Sequence, residues 1–299
     1  MTQIEIVEVS ARDGLQNESV QFSAEQKIEL ITRAINAGFK RIEAVSFVNP
    51  KRVPQMADGE AVMAGVPRDR GVRYVGLALN RKGFDRALAA GCDEINFVAV
   101  ATETFSQKNQ GASVEQNLGV WREIAAEAQA AAIPATLSIS AAFGCPYEGE
   151  VRHERVIDIA KRGAEAGPTE LIIADTIGCA APTDVKTLAG AIKLAIPDMG
   201  LRCHFHNTRN TGLANAVAAV EAGVTRLDAS IGGIGGCPFA PGATGNIPTE
   251  DLVYMLHRMG HDTGLDLKAL VDVGRWLEEP LGRTVPAALV RAGVFPRTA

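Results

Sequence analysis

The chain has no stripe of Lys or Arg able to follow a phosphate backbone. Its 30 Lys plus Arg stand against 35 Asp plus Glu, a formal charge of -5, which argues against nucleic acid as a partner. It also lacks an uninterrupted apolar run long enough to span a bilayer. The first residues, MTQIEIVEVSARDG, carry neither a charged-then-apolar signal nor an Arg-rich presequence, so the cytoplasm is the expected compartment. None of the five cysteines, Cys92, Cys145, Cys179, Cys203 and Cys237, belongs to a CxxC pair, and the odd count leaves at least one thiol unpaired, as a reducing environment would. No linker, low-complexity tract or short-period repeat divides the 299 residues. What is present is 46% hydrophobic and 22% charged residues, the balance of a globular protein with a substantial core and not of a disordered or collagen-like chain.

Short β-branched runs alternate with longer amphipathic stretches almost from end to end. The strand candidates are IEIVEV from Ile4, RIEAVSF from Arg41, VRYVGLAL from Val72, EINFVAV from Glu94, ATLSISAAF from Ala135, ELIIAD from Glu170, LRCHFH from Leu201 and RLDASI from Arg226. Between them lie helical stretches such as SAEQKIELITRAINAG, where Ser23 with Gln26 makes a capping box and Gly38 ends the helix. SVEQNLGVWREIAAEAQAA from Ser113 and PTDVKTLAGAIKLAI from Pro182 read the same way. Such alternation implies right-handed βαβ units and a parallel sheet, and eight units predict an α/β fold closed as a (β/α)8 TIM barrel. An open doubly wound sheet would announce itself with a Gly-rich fingerprint after its first strand, and ARDGLQNE is not one. The reading is a single domain over 1–299, with helices around Thr249 to Met259 and Leu267 to Glu278, a glycine-rich loop over 230–248 and a C-terminal helical cap over about 264–299.

A barrel carries its chemistry at the C-terminal ends of its strands. There the first strand runs into Arg12 and Asp13, the second carries Glu43 and Ser46, the sixth ends in Asp175-Thr176, and the seventh contains His204 and His206. A period of two puts both imidazoles on one face, pointing into the mouth. With the Asp13 carboxylate they form a facial N2O set with open positions, suited to Mg2+ or Mn2+. Two strand-end histidines bonded to carbonyls would be the plainer arrangement, and Asp13 on the same rim favours the metal. Arg12 is a fixed positive charge suited to an enolate oxygen, or else one half of an ion pair, for which Glu43 is the expected partner. Asp175 reads as a ligand, an orienting carboxylate or a helix cap.

SIGGIGGCPFAPGATGN, residues 230–246, is too rich in glycine and proline for regular structure and matches no phosphate-binding pattern. Placed after the eighth strand, it reads as a lid that delivers Cys237 and Asn246 to the mouth. Cys237 either exchanges a proton beside a cation or is an inert small residue. His257 and His261 lie four apart on a helix, but HRMGH lacks the acid of HExxH and reads as a solvated face. Cys92, Cys145 and Cys179 read as packing thiols.

These segments together resemble the hydroxymethylglutaryl-CoA lyase family, metal-dependent barrel lyases sharing an RDG motif on strand one. The likeness covers nearly the whole chain and is carried by VSARDGLQNE, IEAVSFVNPKRVPQMAD, FGCPYEG, ADTIG and GGIGGCPFAPGATGNIPTEDLVYML. RDG with HxH alone would resemble a wider group that includes isopropylmalate synthase and hydroxy-oxovalerate aldolase; the Cys-containing glycine loop resembles the CoA lyases in particular. The resemblance implies that Asp13, His204, His206 and Asn246 bind Mg2+ or Mn2+ and that Arg12 holds a thioester enolate oxygen. It also matches His204, Asp175 and Cys237 to proton transfer and Glu43 to a supporting role. It implies an acyl-CoA substrate, a homodimer, and cleavage of (S)-3-hydroxy-3-methylglutaryl-CoA to acetoacetate and acetyl-CoA, a leucine-degradation step. Two positions depart from the family. Ser19 stands where Lys is common, and Asn207 where the residue after HxH is usually Asp. Both leave room for another 3-hydroxy-acyl-CoA such as citramalyl-CoA. The reading from a different class is a non-catalytic barrel that binds CoA esters.

Overall fold

A computed structural model describes residues 2–235 and 245–296 of the chain. The eight β-branched runs form eight strands: β1 (Glu5–Glu8), β2 (Arg41–Ser46), β3 (Arg73–Ala78), β4 (Glu94–Val100), β5 (Ala135–Ser140), β6 (Glu170–Asp175), β7 (Leu201–Phe205) and β8 (Arg226–Ala229). Each pairs in parallel with its neighbours in sequence. The sheet closes where β1 pairs β8 over Glu5↔Arg226 to Glu8↔Ala229, giving the expected (β/α)8 barrel. Closure leaves no edge strand, and it sets the C-terminal ends of all eight strands around one mouth.

Local chemistry starts and stops the helices of the outer layer. Ser23 caps Ala24–Asn36 in a capping box with Gln26, and Ser113 caps Val114–Ala130 with Gln116 in the same way. Each helix turns one face inward, as Leu30, Ile31 and Ala34 do on the first and Leu118, Trp121 and Ile124 on the second. After β8 come Thr249–Arg258, Leu267–Leu281 and a short helix, Ala288–Ala292, that periodicity does not show. The β5 run stops at Ser140 because Ala141 takes φ 54°, and the chain then forms a small antiparallel ribbon, Gly144–Cys145 against Gly149–Glu150.

The barrel interior below the mouth is ionic. Arg41 lies 2.6 Å from Glu94 and 2.9 Å from Glu170, Arg202 reaches Glu170 at 3.0 Å, and all four side chains are buried. Buried charges are tolerated only when paired and hydrogen-bonded, and here each cation faces a carboxylate from another strand of the barrel. Among the described residues no helix is long and apolar enough to cross a membrane.

Candidate active site

Between β1 and the first helix the backbone makes one wide turn over Ser10–Gly14, in which the amides of Asp13 and Gly14 both donate to Val9 O, at 2.8 and 3.1 Å. An extra residue in a helical turn re-aims the side chains around it. Here Arg12 and Asp13 both line the mouth. Gly14 allows the close approach that follows, because a Cβ there would meet Ile234 Cγ1 at 2.7 Å.

The strand period of two places His204 and His206 on one face of β7 and its extension. Their Nε2 atoms lie 3.8 and 3.6 Å from Asp13 Oδ2, and one donor atom from each of the three residues falls within 4.8 Å of the others. Asn246 joins them, since it bridges to the His206 backbone and donates from Nδ2 to Asp13 Oδ2 at 2.8 Å. Its own Oδ1 is buried and has no hydrogen-bond partner among the described residues. A buried amide oxygen beside a carboxylate and two imidazoles is the donor set a hard divalent cation takes, so these residues fit such an ion.

Electrostatics agree. Burial alone would raise the Asp13 carboxyl, but Arg12 and the two imidazoles outweigh it and hold it well below the usual range. Burial would lower His204, and Asp228 with Asp13 raises it instead. Arg12 pairs with Asp13 and with Glu43 Oε1, while Glu43 Oε2 accepts from Asn96 Nδ2 at 2.7 Å. Asn96 Oδ1 in turn accepts from Ser138 at 2.9 Å. The guanidinium is therefore held from below by a chain reaching across β2, β4 and β5.

The cavity over this cluster has a volume of ≈ 690 Å³ and is lined near its floor by Arg12, Asp13, Asn96, His204, His206 and Asp228. It is also lined by Arg52, Lys108 and the asparagines Asn17, Asn49, Asn80 and Asn109. This volume is that of a small-molecule site.

The remaining predicted residues separate into three groups. Glu43 is where the pairing argument puts it. Asp175 is fully buried but does not line the cavity, because Ala174 and Thr176 take the inward positions on either side of it. Its oxygens accept from the amides of Cys179 at 2.9 Å and Ala180 at 3.0 Å, in the turn before the helix Pro182–Ala195, whose N-cap is Ala181, and burial raises its carboxyl against those bonds. Cys237, with the centre of the expected lid, lies outside the described residues.

The start of the glycine-rich segment is held by two buried carboxylates. Glu8 accepts from Ile231 N at 3.0 Å and Thr249 Oγ1 at 2.9 Å, and Glu250 accepts from Gly232 N. Burial pushes Glu8 up to about 7 and Glu250 to about 8.

The two departures from the family lie off the cluster. Ser19 is exposed, and Asn207 Oδ1 accepts from Gly212 N at 3.0 Å within its own turn. Burial lifts the Cys92 and Cys179 thiols to about 12, as packing thiols would be. His257 bonds Thr263 at 2.8 Å, away from the mouth.

Sequence reasoning missed Asp228 and Asn96. Asp228 Oδ2 lies 3.2 Å from His204 Nδ1. The available signal was a polar residue at an inward position of a strand that is otherwise apolar.

The HMGL-like family model matches residues 3–277. An (R)-citramalyl-CoA lyase from Chloroflexus aurantiacus is 42% identical, over 99% of this chain and 97% of its own. A solved hydroxymethylglutaryl-CoA lyase from Bacillus subtilis superposes with a TM-score of 0.95 at 39% identity, covering 98% of both chains. Another, from Acinetobacter baumannii in complex with coenzyme A and 3-methylmalate, gives 0.94 at 40% identity over 99% of this chain and 97% of that one.

Proposed function

The chain belongs to the HMGL-like family, and from that membership we propose that it is a divalent-cation-dependent carbon–carbon lyase cleaving (S)-3-hydroxy-3-methylglutaryl-CoA to acetoacetate and acetyl-CoA. The observation that carries the reading is the convergence of Asp13, His204 and His206 beside a braced Arg12 at the mouth of the barrel.

Asp13, His204, His206 and the Asn246 oxygen would hold Mg2+ or Mn2+. When bound, the cation supplies Lewis acidity to the substrate's tertiary hydroxyl and carboxylate, lowering the hydroxyl pKa and fixing the conformation. Cleavage of the bond between C2 and C3 turns the hydroxyl carbon into the ketone of acetoacetate and leaves the electron pair on the enolate of acetyl-CoA. Arg12 meets that enolate oxygen. Its charge is permanent, and Glu43 and Asn96 fix its direction before the reaction, so no reorganisation is needed as charge arrives. Cys237, as its thiolate, takes the hydroxyl proton as the bond breaks and returns it to the enolate carbon.

His204 and Asp175 take positioning parts in this account. His204 has its Nδ1 beside Asp228 and serves through Nε2 as a ligand, and Asp175 has both oxygens engaged by the turn leading into the helix Pro182–Ala195.

A second reading, a citramalyl-CoA lyase yielding pyruvate and acetyl-CoA, is favoured by the relative of that name at 42% identity. Incubation of the Mg2+-loaded protein with each thioester, followed by identification of the keto acid, separates the two. Acetoacetate from the first substrate supports the main reading, pyruvate alone moves the substrate to the second, and acetyl-CoA from neither contradicts both.

A further inference from the structure

The strands β7 and β8 put Asp228 directly beside His204 in register. Asp228 Oδ2 lies 3.2 Å from His204 Nδ1, and Asp228 Oδ1 lies 3.2 Å from Arg202 Nη1. Arg202 is only 1% exposed and is itself held by Glu170 at 3.0 Å, which belongs to the ionic floor of the barrel. A chain of charges thus runs from the closed end of the barrel to the ring nitrogen on the far side of His204.

We propose that Asp228, braced by Arg202, is a positioning residue that keeps His204 in its Nδ1–H tautomer, so that the Nε2 lone pair faces Asp13 and His206. The inference rests on the metal reading above and assigns what orients one of its donors. The reasoning is that of the hydrogen-bond inventory. An imidazole must donate from one nitrogen to accept from the other, and a carboxylate can only accept. With Asp228 ionised, the proton sits on Nδ1 and Nε2 is free for a cation. Arg202 Nη1 faces the other oxygen, Asp228 Oδ1, at 3.2 Å, so the buried carboxylate has a fixed cation opposite the ring.

An amide at this position, as in D228N, inverts the arrangement. Arg202 can only donate, so it takes the single oxygen of the introduced amide and turns the NH2 toward Nδ1. The ring must then accept at Nδ1 and carry its proton on Nε2, where it blocks a cation. D228N therefore does more harm than loss of one hydrogen bond. Replacing Arg202 with Gln as well gives the amide NH2 an acceptor and returns its oxygen to the ring, so R202Q/D228N recovers the tautomer.

The test is long-range 1H–15N correlation on histidine-labelled, metal-free protein at a pH where the ring is neutral, with His204 assigned by substitution. Mn2+ affinity of the same samples is measured by calorimetry. The expected result is Nδ1–H in the wild type, Nε2–H in D228N with Mn2+ binding weakened about 10- to 100-fold, and partial return of both in R202Q/D228N. An Nε2–H wild type overturns the proposal without need of any variant, so a D228N that fails to fold does not shield it. A folded D228N that keeps the wild-type tautomer and binds Mn2+ within about threefold of wild type overturns it too. Failure of the wild type to bind Mn2+ while His204 is Nδ1–H contradicts the metal reading instead, which separates the two.

Discussion

Arg12 is assigned to the developing enolate, and its substitution separates that role from its part in the fold. Arg12 is 8% exposed and its guanidinium pairs with Glu43, which is 2% exposed. Arg12→Met keeps most of the volume and removes the charge. Glu43 is then a buried carboxylate whose remaining side-chain donor is Asn96. Breaking a buried pair from one side costs about 3–5 kcal/mol, so the single variant should lose roughly 10 °C of thermal stability. Removing the second charge as well, in R12M/E43L, relieves the part of that penalty due to Glu43 and leaves Asn96 without its acceptor, worth about 1–3 kcal/mol, with Asp13 still held by the imidazoles and Asn246. Activity should not follow stability. Loss of the oxyanion partner costs about 10²- to 10³-fold in kcat, and the double variant has no cation to restore it. Thermal denaturation and steady-state kinetics on wild type, both single variants and the double variant complete the cycle. Recovery of kcat together with stability in R12M/E43L would refute a chemical role for Arg12 and make it a structural ion pair.

Two further outcomes are expected. Cys237→Ser should lower kcat by about 10²-fold or more, the scale of a lost general acid, while Mn2+ binding is unchanged; near-wild-type turnover removes Cys237 from the proton transfer. Glu8, raised by burial to about 7, holds in the folded state a proton that the unfolded chain releases from about 4.5 upward. Stability is therefore lost as pH rises through that window, by at most roughly 3 kcal/mol. Glu8→Gln, whose amide can still accept from Ile231 and donate to Thr249, should flatten the difference in urea unfolding between pH 5 and pH 8 by a comparable amount, and an unchanged slope would show that Glu8 ionises freely in the fold.

The barrel was legible because its signals are local and periodic. Short apolar runs bounded by Gly and Pro and capping boxes at Ser23 and Ser113 each have one structural reading. Arg12, Asp13, Glu43, His204 and His206 converge because closure of the sheet brings strands β1, β2 and β7 to one mouth. Asp175 shows the limit. Its position at a strand end fits a ligand or a cap equally well, and only the geometry of the 176–181 turn shows both its oxygens on backbone amides. The role of Asp228 was not legible for another reason. Its neighbour in space is 24 residues away, and nothing in RLDASI distinguishes a carboxylate that orients a histidine from one that answers Arg202. The ionic floor of Arg41, Glu94, Glu170 and Arg202 is also a property of the closed sheet, since its members sit on four strands whose individual sequences read as ordinary edges of apolar runs.

The central claim is cation-assisted cleavage at Asp13, His204 and His206. It is tested most directly by acetyl-CoA release from (S)-3-hydroxy-3-methylglutaryl-CoA by EDTA-stripped protein, before and after addition of Mg2+ or Mn2+, with citramalyl-CoA in parallel. Silence without cation and restored turnover with it, abolished again in His206→Gln, is the predicted result. Turnover that persists in the stripped protein, or no acetyl-CoA from either thioester once Mn2+ is bound, would contradict it.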